Sequence, residues 1–242
     1  LVAKLKEEIN KLKIQNAELI CDNFADITAL ARRHHLAEID GILFDLGFSS
    51  YHVEESGRGF SFLRDEVLDM RYNPAETIDS AAAILSKWPE QRIANILSEY
   101  GEERFAKVIA KEIVEGRSKF KIQRTSDLAK IIQKAVPSWY CRRKIHCATR
   151  TFQALRIAVN DELQSIETGV RAASEILSPG GKLAVISFHS LEDRIIKRIF
   201  KEKQLRGQVV VLTKKVIRPA HDEIRANPKA RSAKLRAVQK PL

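Results

Sequence analysis

The stretch that decides the fold is Leu183-Ala-Val-Ile-Ser-Phe-His-Ser-Leu-Glu-Asp-Arg194, entered from Ser178-Pro-Gly-Gly181. Pro and two glycines stop a preceding helix, a short apolar run follows, and Ser187-Phe-His-Ser190 stands where that run ends. In an open α/β sheet, ligands bind outside the carboxyl ends of the strands, so this polar cluster falls where chemistry belongs. Ser190 and Asp193 have the S-x-x-D spacing of a capping box for the next helix. Capping accounts for those two residues and not for His189, which becomes a candidate catalytic residue; a structural hydrogen bond is its competing role.

Working outward, Asp40-Gly-Ile-Leu-Phe-Asp-Leu-Gly47 reads as a second buried strand that ends at Asp45 and Gly47. Before it, residues 1–14 are amphipathic, with Leu1, Val2, Leu5, Ile9 and Leu12 on one stripe. Ala17 to Cys21 is a short apolar run, and Asp22 or Asn23 caps a helix from Phe24 to His35. Helix, strand, helix, strand predicts a parallel sheet. Ser49 to Pro74 is loop-like and rich in Gly, Arg, Phe and Asp. From Thr77 to Pro137 the pattern is helical only, with Pro89 in a first turn, Gly101 as a separator and Thr125 or Ser126 as a cap. This stretch reads as a helical insertion standing off the sheet. A long helix is expected from Thr151 to Leu177, its core face carrying Phe152, Leu155, Val159, Leu163, Ile166, Val170, Ala173 and Leu177. Gln153, Arg156 and Asn160 form a second, polar stripe, either its wet edge or a binding surface. A helix over 191–203 and a strand over Gln208 to Thr213 complete the reading.

The chain has 242 residues and a net charge of +11. Residues 197–242 hold fourteen Lys or Arg against three acids, so the whole excess lies there, while residues 1–196 hold 28 of each sign. A one-sided excess suits a polyanion such as RNA, through phosphate contacts and counterion release; a solvated tail is the plainer alternative. No apolar run approaches the ~18 residues of a membrane span. The chain opens at Leu1 in mid-pattern, which reads as an N-terminal truncation. Cys21, Cys141 and Cys147 form an odd set without C-x-x-C, which suits a reducing compartment. Cys141, His146 and Cys147 match no usual zinc spacing, and no metal is expected.

Two strand ends therefore carry polar groups, Asp45 and His189, and a doubly wound sheet brings such ends into one crevice. Asp45-Leu-Gly-Phe48 places an acid three residues before an aromatic. Methylating an exocyclic amine needs an acceptor that orients the NH2 toward an electrophilic methyl, with an aromatic face to stack the base.

The chain resembles the RsmH/MraW family of S-adenosylmethionine-dependent methyltransferases, which modify N4 of a cytidine in small-subunit (16S) ribosomal RNA. The matching runs include Asp40–Ser50, Arg58-Gly-Phe-Ser-Phe62, Leu68-Asp-Met-Arg71, Tyr100–Lys107, Ala148–Ile157, Val159-Asn160, Ile186–Arg194 and Asn227–Arg236. The resemblance implies a Rossmann-like class I methyltransferase sheet, N-terminally truncated, with an inserted all-helical domain that helps recognise RNA. The domains would be residues 1–72, 73–147 and 148–242, the last with the basic tail. S-adenosylmethionine would be held by Phe24, packing on adenine, by Asp45, and by His52. Asp45, His189 and Asn160 are the candidate catalytic residues: Asp45 either orients the amine or contacts only the cofactor, and His189 or Asn160 takes or relays the proton from N4. Candidate RNA contacts are Arg58, Arg71, Arg150, Arg156, Lys229, Arg231 and Lys234. Arg58, Arg64 and Arg71 either hold phosphates or are paired within the loop by Asp65 and Asp69.

Partners would be the ribosomal RNA or the assembled small subunit, in the cytoplasm, with homodimer formation left open. The chain departs from the family pattern in two ways. The N-terminal signature, with its D-x-T-x-G-x-G-G-H-S loop and ribose-binding acid, lies upstream of Leu1. Tyr51-His52 and Cys147 replace the usual Pro-Gln and Pro. A second reading, an inactive RNA-binding or assembly factor or a fragment lacking the cofactor loop, follows from that missing loop. A nicotinamide dehydrogenase is disfavoured because there is no G-x-G-x-x-G.

Overall fold

The computed structural model describes residues 2–75 and 78–242. Leu1 and Thr77, two positions used above, lie outside the described residues. In chain order the elements are α1 (Val2–Lys11), α2 (Ile27–Arg33), β1 (Ile39–Asp45), α3 (Ser50–Glu54), α4 (Ala81–Lys87), α5 (Glu90–Glu99), α6 (Ala106–Arg117) and α7 (Thr125–Ala135). They continue as α8 (Ser138–Cys141), α9 (Thr149–Asn160), α10 (Glu162–Ile176), β2 (Leu177–Ser187), α11 (Ser190–Leu205), β3 (Val210–Val211), α12 (His221–Ala226) and β4 (Lys234–Gln239). The contacts divide the chain into two compact units, one of Leu1–Gly47 with Leu163–Leu242, the other of Phe48–Glu162.

The first unit is built on a four-stranded sheet ordered β1-β2-β4-β3. β1 and β2 run parallel, with Leu43 opposite Ala184 and Asp45 opposite Ile186. β4 lies antiparallel to both β2 and β3, so the sheet is mixed where the alternation of elements suggests a purely parallel one. Leu183, Val185 and Val238 are fully buried and join Phe44, Val170, Ile196 and Ile199 in one apolar cluster. β1 is less buried than its apolar run implies, since Leu43 is 63% exposed. The reason is position: among the described strands β1 is an edge, covered on fewer sides than β2. Ala17 to Cys21 forms no strand, and the helix after it starts as a short 3₁₀ turn capped by the Asn23 side chain, which accepts from the Ala25 amide.

β4 is the largest departure from the sequence reading. The basic C-terminal stretch is not a free tail: residues 234–239 are a central strand, and Arg236 pairs with Asp193 of α11 at 2.7 Å. Lys234-Leu-Arg-Ala-Val-Gln239 does not alternate cleanly, since buried Val238 shares the parity of Lys234 and Arg236, and those two charges disguise a strand in which Arg236 meets Asp193 and Gln239 donates to the Gly180 carbonyl.

In the second unit, α4 to α9 pack around Leu85, Leu97, Ile109, Leu128 and Leu155. Phe60, Leu68 and Met70 of the loop and Phe152 and Val159 of α9 belong to that same cluster, so this unit extends beyond the expected insertion at 73–147 to take in both. Thr125 does not cap α7 with its hydroxyl. Buried, it accepts from the Glu66 amide and donates to the Arg64 carbonyl, while Asp127 caps by accepting from the Arg124 amide. Cys141 and Cys147 are joined in a disulfide, which corrects the expectation of a wholly thiol set; Cys21 is free and exposed. The long helix expected over 151–177 is broken at Asp161, whose φ of 46° is left-handed, a conformation Asp tolerates better than most residues. Among the described residues, no helix is long and apolar enough to cross a membrane.

Candidate active site

In the sheet unit, parallel pairing brings the carboxyl ends of β1 and β2 side by side. The Leu46 amide donates to the Ile186 carbonyl at 3.0 Å and extends that pairing one residue beyond Asp45. Gly47 then turns the chain with a φ of +96°, a conformation that favours glycine. Asp45 is exposed, and among the described residues no cation or donor pairs with its carboxylate. By contrast, Asp69 is paired with Arg71 and Asp193 with Arg236. A carboxylate left open at a strand end is available to a ligand.

Beside it, β2 ends in Ser187, and His189 is the N-cap of α11. The capping box is therefore set one residue earlier than Ser190 and Asp193 suggest. Glu192 accepts from the Phe188 amide at 2.7 Å and the His189 amide at 3.2 Å, while Asp193 is drawn off to Arg236. Glu192 also puts Oε1 3.1 Å from His189 Nε2, at charge-pair distance although not aligned for a hydrogen bond. Burial pushes the Glu192 carboxyl up, but His189 and the two amides outweigh it and the net direction is down. His189 therefore faces a buried carboxylate. Phe24 packs at 5.3 Å on Phe44 and lies over Gly169 of α10, where an added Cβ would meet its ring at 2.7 Å.

In the helical unit a cluster forms around the loop after Phe48. Phe48 stacks with Phe60 at 6.3 Å, Phe60 with Tyr72 at 5.6 Å, and the His52 ring meets both Phe60 and Tyr72 edge-on at 5.1 Å. The Ser49 amide donates to His52 Nδ1 at 3.2 Å, which leaves Nε2 to carry the proton of the neutral ring. Burial, followed by the charges of Arg58 and Arg156, holds His52 below the usual histidine value, against the Ser49 contact. Arg156 is buried: its guanidinium sits 4.3 Å from the Phe48 ring centroid and bonds Glu162 twice, at 2.8 and 3.0 Å. Tyr72 donates its hydroxyl to the same carboxylate. Asn160 donates to the Met70 and Arg156 carbonyls and accepts from the Tyr72 amide, which ties α9 to the loop.

The candidate RNA contacts divide by this geometry. Arg58 donates to the carbonyls of Arg71 and Tyr72, and Arg71 binds Asp69 with two nitrogens, so both brace the loop. Asp65 holds Arg124 rather than a loop arginine, and Arg64 donates to the Glu54 carbonyl. Arg150 donates to the Glu102 carbonyl. Lys229 and Arg231 are exposed on a 3₁₀ turn, Pro228–Ser232, and Lys234 opens β4. Sequence reasoning missed Glu192 and Glu162. The i+3 spacing from His189 was visible for Glu192; the partner of Arg156 had no such signal, because the helix break at Asp161 sets it.

The profile of the MraW methylase family matches residues 2–241. A ribosomal RNA small subunit methyltransferase H from Dictyoglomus thermophilum is 45% identical over 97% of this chain and 79% of its own length. The protein of that name from Heliobacterium modesticaldum is 47% identical over 92% and 76%, and that from Wolbachia pipientis 43% identical over 99% and 81%.

Proposed function

The chain belongs to the MraW methylase family, and from that premise we propose that it methylates the exocyclic N4 of a cytidine in small-subunit ribosomal RNA, with S-adenosylmethionine as donor. Its fold is the Rossmann-like methyltransferase sheet with an inserted helical unit. The relatives named for small-subunit RNA support the substrate. The observation that carries the catalytic reading is the open carboxylate of Asp45 at the end of β1, beside the β2 end that leads into His189. The partner is the ribosomal RNA or the assembled small subunit.

The residues present fit the donor. Asp45 is an unpaired acceptor suited to an N–H or O–H, and Phe24 is a partly exposed aromatic with one side backed by Phe44. When bound, S-adenosylmethionine supplies an electrophilic methyl on a sulfonium. Asp45 accepts an N–H of the target amine and so aims its lone pair. His189 is the acceptor in this scheme for the proton that N4 releases, and Glu192, with Oε1 3.1 Å from His189 Nε2, is a positioning residue for the ring. Asn160 has both amide hydrogens engaged and a weakly basic oxygen, so it serves as a brace for the loop rather than as the proton acceptor. No covalent enzyme intermediate is required.

Transfer of labelled methyl to small-subunit RNA tests this. Asp45→Asn is expected to lower kcat by about 10²–10³-fold, a loss of orientation and electrostatics. His189→Ala is expected to lower it by about 10²-fold or more, with partial recovery at higher pH. Full turnover by either variant would remove that residue from the scheme.

A further inference from the structure

The helical unit carries a basic concavity that the reading above does not use. Its volume is about 170 Å³, and Tyr140, Arg143, Lys144, Ile145, His146 and Arg150 line it. Arg142 to Lys144 are three consecutive exposed cations. Among the described residues, no carboxylate lies within ion-pair distance of Arg143 or Lys144. The obvious neighbouring acid is spent: Glu103 is 4% exposed and takes the Tyr140 hydroxyl on both oxygens, at 2.9 Å each. The Cys141–Cys147 disulfide closes the loop that bears the cations, and His146 is fixed by stacking on Phe62 at 4.7 Å. Next to the concavity, Trp139 is 47% exposed, meets the Tyr140 ring at 5.8 Å and has the Arg104 guanidinium 6.0 Å from its centroid. Ile145 is 57% exposed.

Cations that face no carboxylate among the described residues, set around a concavity with an exposed indole at its margin, match one ligand chemistry: single-stranded RNA. Phosphates meet Arg143 and Lys144, and an unstacked base lies on an aromatic face. We infer that the disulfide-closed loop 141–147, with Trp139 and Arg150, is an RNA-docking site of the helical unit, separate from the catalytic residues. It rests on the RNA substrate proposed above and deepens it. Bidentate pairing with Asp69 and Glu162 leaves Arg71 and Arg156 poor phosphate ligands, whereas among the described residues Arg143 and Lys144 face no carboxylate, and Arg143 rests 5.7 Å from the Tyr140 ring centroid.

The probe is a short fluorescein-labelled single-stranded RNA of mixed sequence, titrated by anisotropy across a salt series. Removing two phosphate contacts with Arg143→Gln/Lys144→Gln is expected to flatten the slope of log K against log salt by about 1.4 and to weaken binding on the order of 25-fold at 0.1 M salt. Trp139→Ala should weaken binding with the slope unchanged, since stacking releases no counterions. Both changes are at exposed positions, and unaltered melting curves verify folding. Ultraviolet cross-linking with the same RNA should place adducts within residues 138–150. An unchanged slope and affinity in the double variant, or adducts confined to 214–236, would overturn the site. Wild-type protein that binds RNA through this loop yet transfers no methyl would sustain the site and refute only the catalytic reading.

Discussion

Replacing Glu162 by Gln keeps the side-chain shape and removes one charge from the most buried ion pair described. Arg156 and Glu162 are each 8% exposed and joined by two hydrogen bonds, with a third from Tyr72 to the same carboxylate. An exposed pair contributes ~0–1 kcal/mol, because water and salt screen it. Here the guanidinium has been withdrawn from water, so loss of the carboxylate leaves a desolvation penalty without its compensation. One acceptor oxygen also becomes a donor that faces donors. The expected loss is about 3–5 kcal/mol, or a fall in Tm of roughly 6–20 °C for a chain of this size. Both tryptophans, Trp88 and Trp139, lie in the helical unit, so urea titration followed by their fluorescence reads that unit directly. Arg156→Met/Glu162→Leu, which removes both charges, should cost much less than the single change. A single-variant loss below ~1 kcal/mol, or a double variant no better than the single, would refute the argument that burial makes this pair costly to break.

The His52 pKa is lower folded than unfolded, so the stability it contributes is complete above the unfolded value near 6.5 and is lost as pH falls toward the folded one. Urea midpoints should therefore drop below about pH 6.5, and His52→Gln should flatten that dependence. Gly169→Ala sets a helix-propensity gain of about 1 kcal/mol against a Cβ placed 2.7 Å from the Phe24 ring and 3.1 Å from its carbonyl oxygen. The clash wins, so Tm should fall by a few degrees; a rise would show that Phe24 moves aside freely. Arg236→Gln removes two charge-assisted bonds between β4 and α11 and should cost about 1–3 kcal/mol in calorimetric melts. Burial raises the Asp193 carboxyl, and Arg236 more than reverses this. The difference between wild type and variant should therefore shrink as pH falls below about 4.

Much of the fold was legible because apolar runs ended at residues with few alternatives. Asp45-Leu-Gly47 fixes the end of β1, Ser178-Pro-Gly-Gly181 falls within the irregular first part of β2 rather than before it, and parallel pairing of two such strands follows from the helices between them. β4 was hidden because Lys234 and Arg236 look like parts of a solvated basic tail, and only tertiary pairing with Asp193 gives Arg236 a strand's surroundings. The break at Asp161 was hidden for the opposite reason: the apolar stripe from Phe152 to Leu177 runs through it without a fault, and the bonds of Asn160 and Glu162 to Met70 and Tyr72 are long-range facts. The cap at His189 illustrates a local ambiguity. His189-Ser-Leu-Glu-Asp193 contains two overlapping boxes, and the demand of Arg236 for Asp193 decides between them. Of the candidate site, Asp45 and His189 were readable as polar residues after apolar strands, whereas the buried acid behind His189 needed the structure.

The most direct test of the central claim is to digest small-subunit RNA after incubation with the protein and S-adenosylmethionine and to identify the methylated nucleoside by mass spectrometry. The account predicts N4-methylcytidine, formed by wild type and reduced about 10²–10³-fold in Asp45→Asn. Methyl on a ring carbon, on another base, or on no nucleoside at all would contradict it.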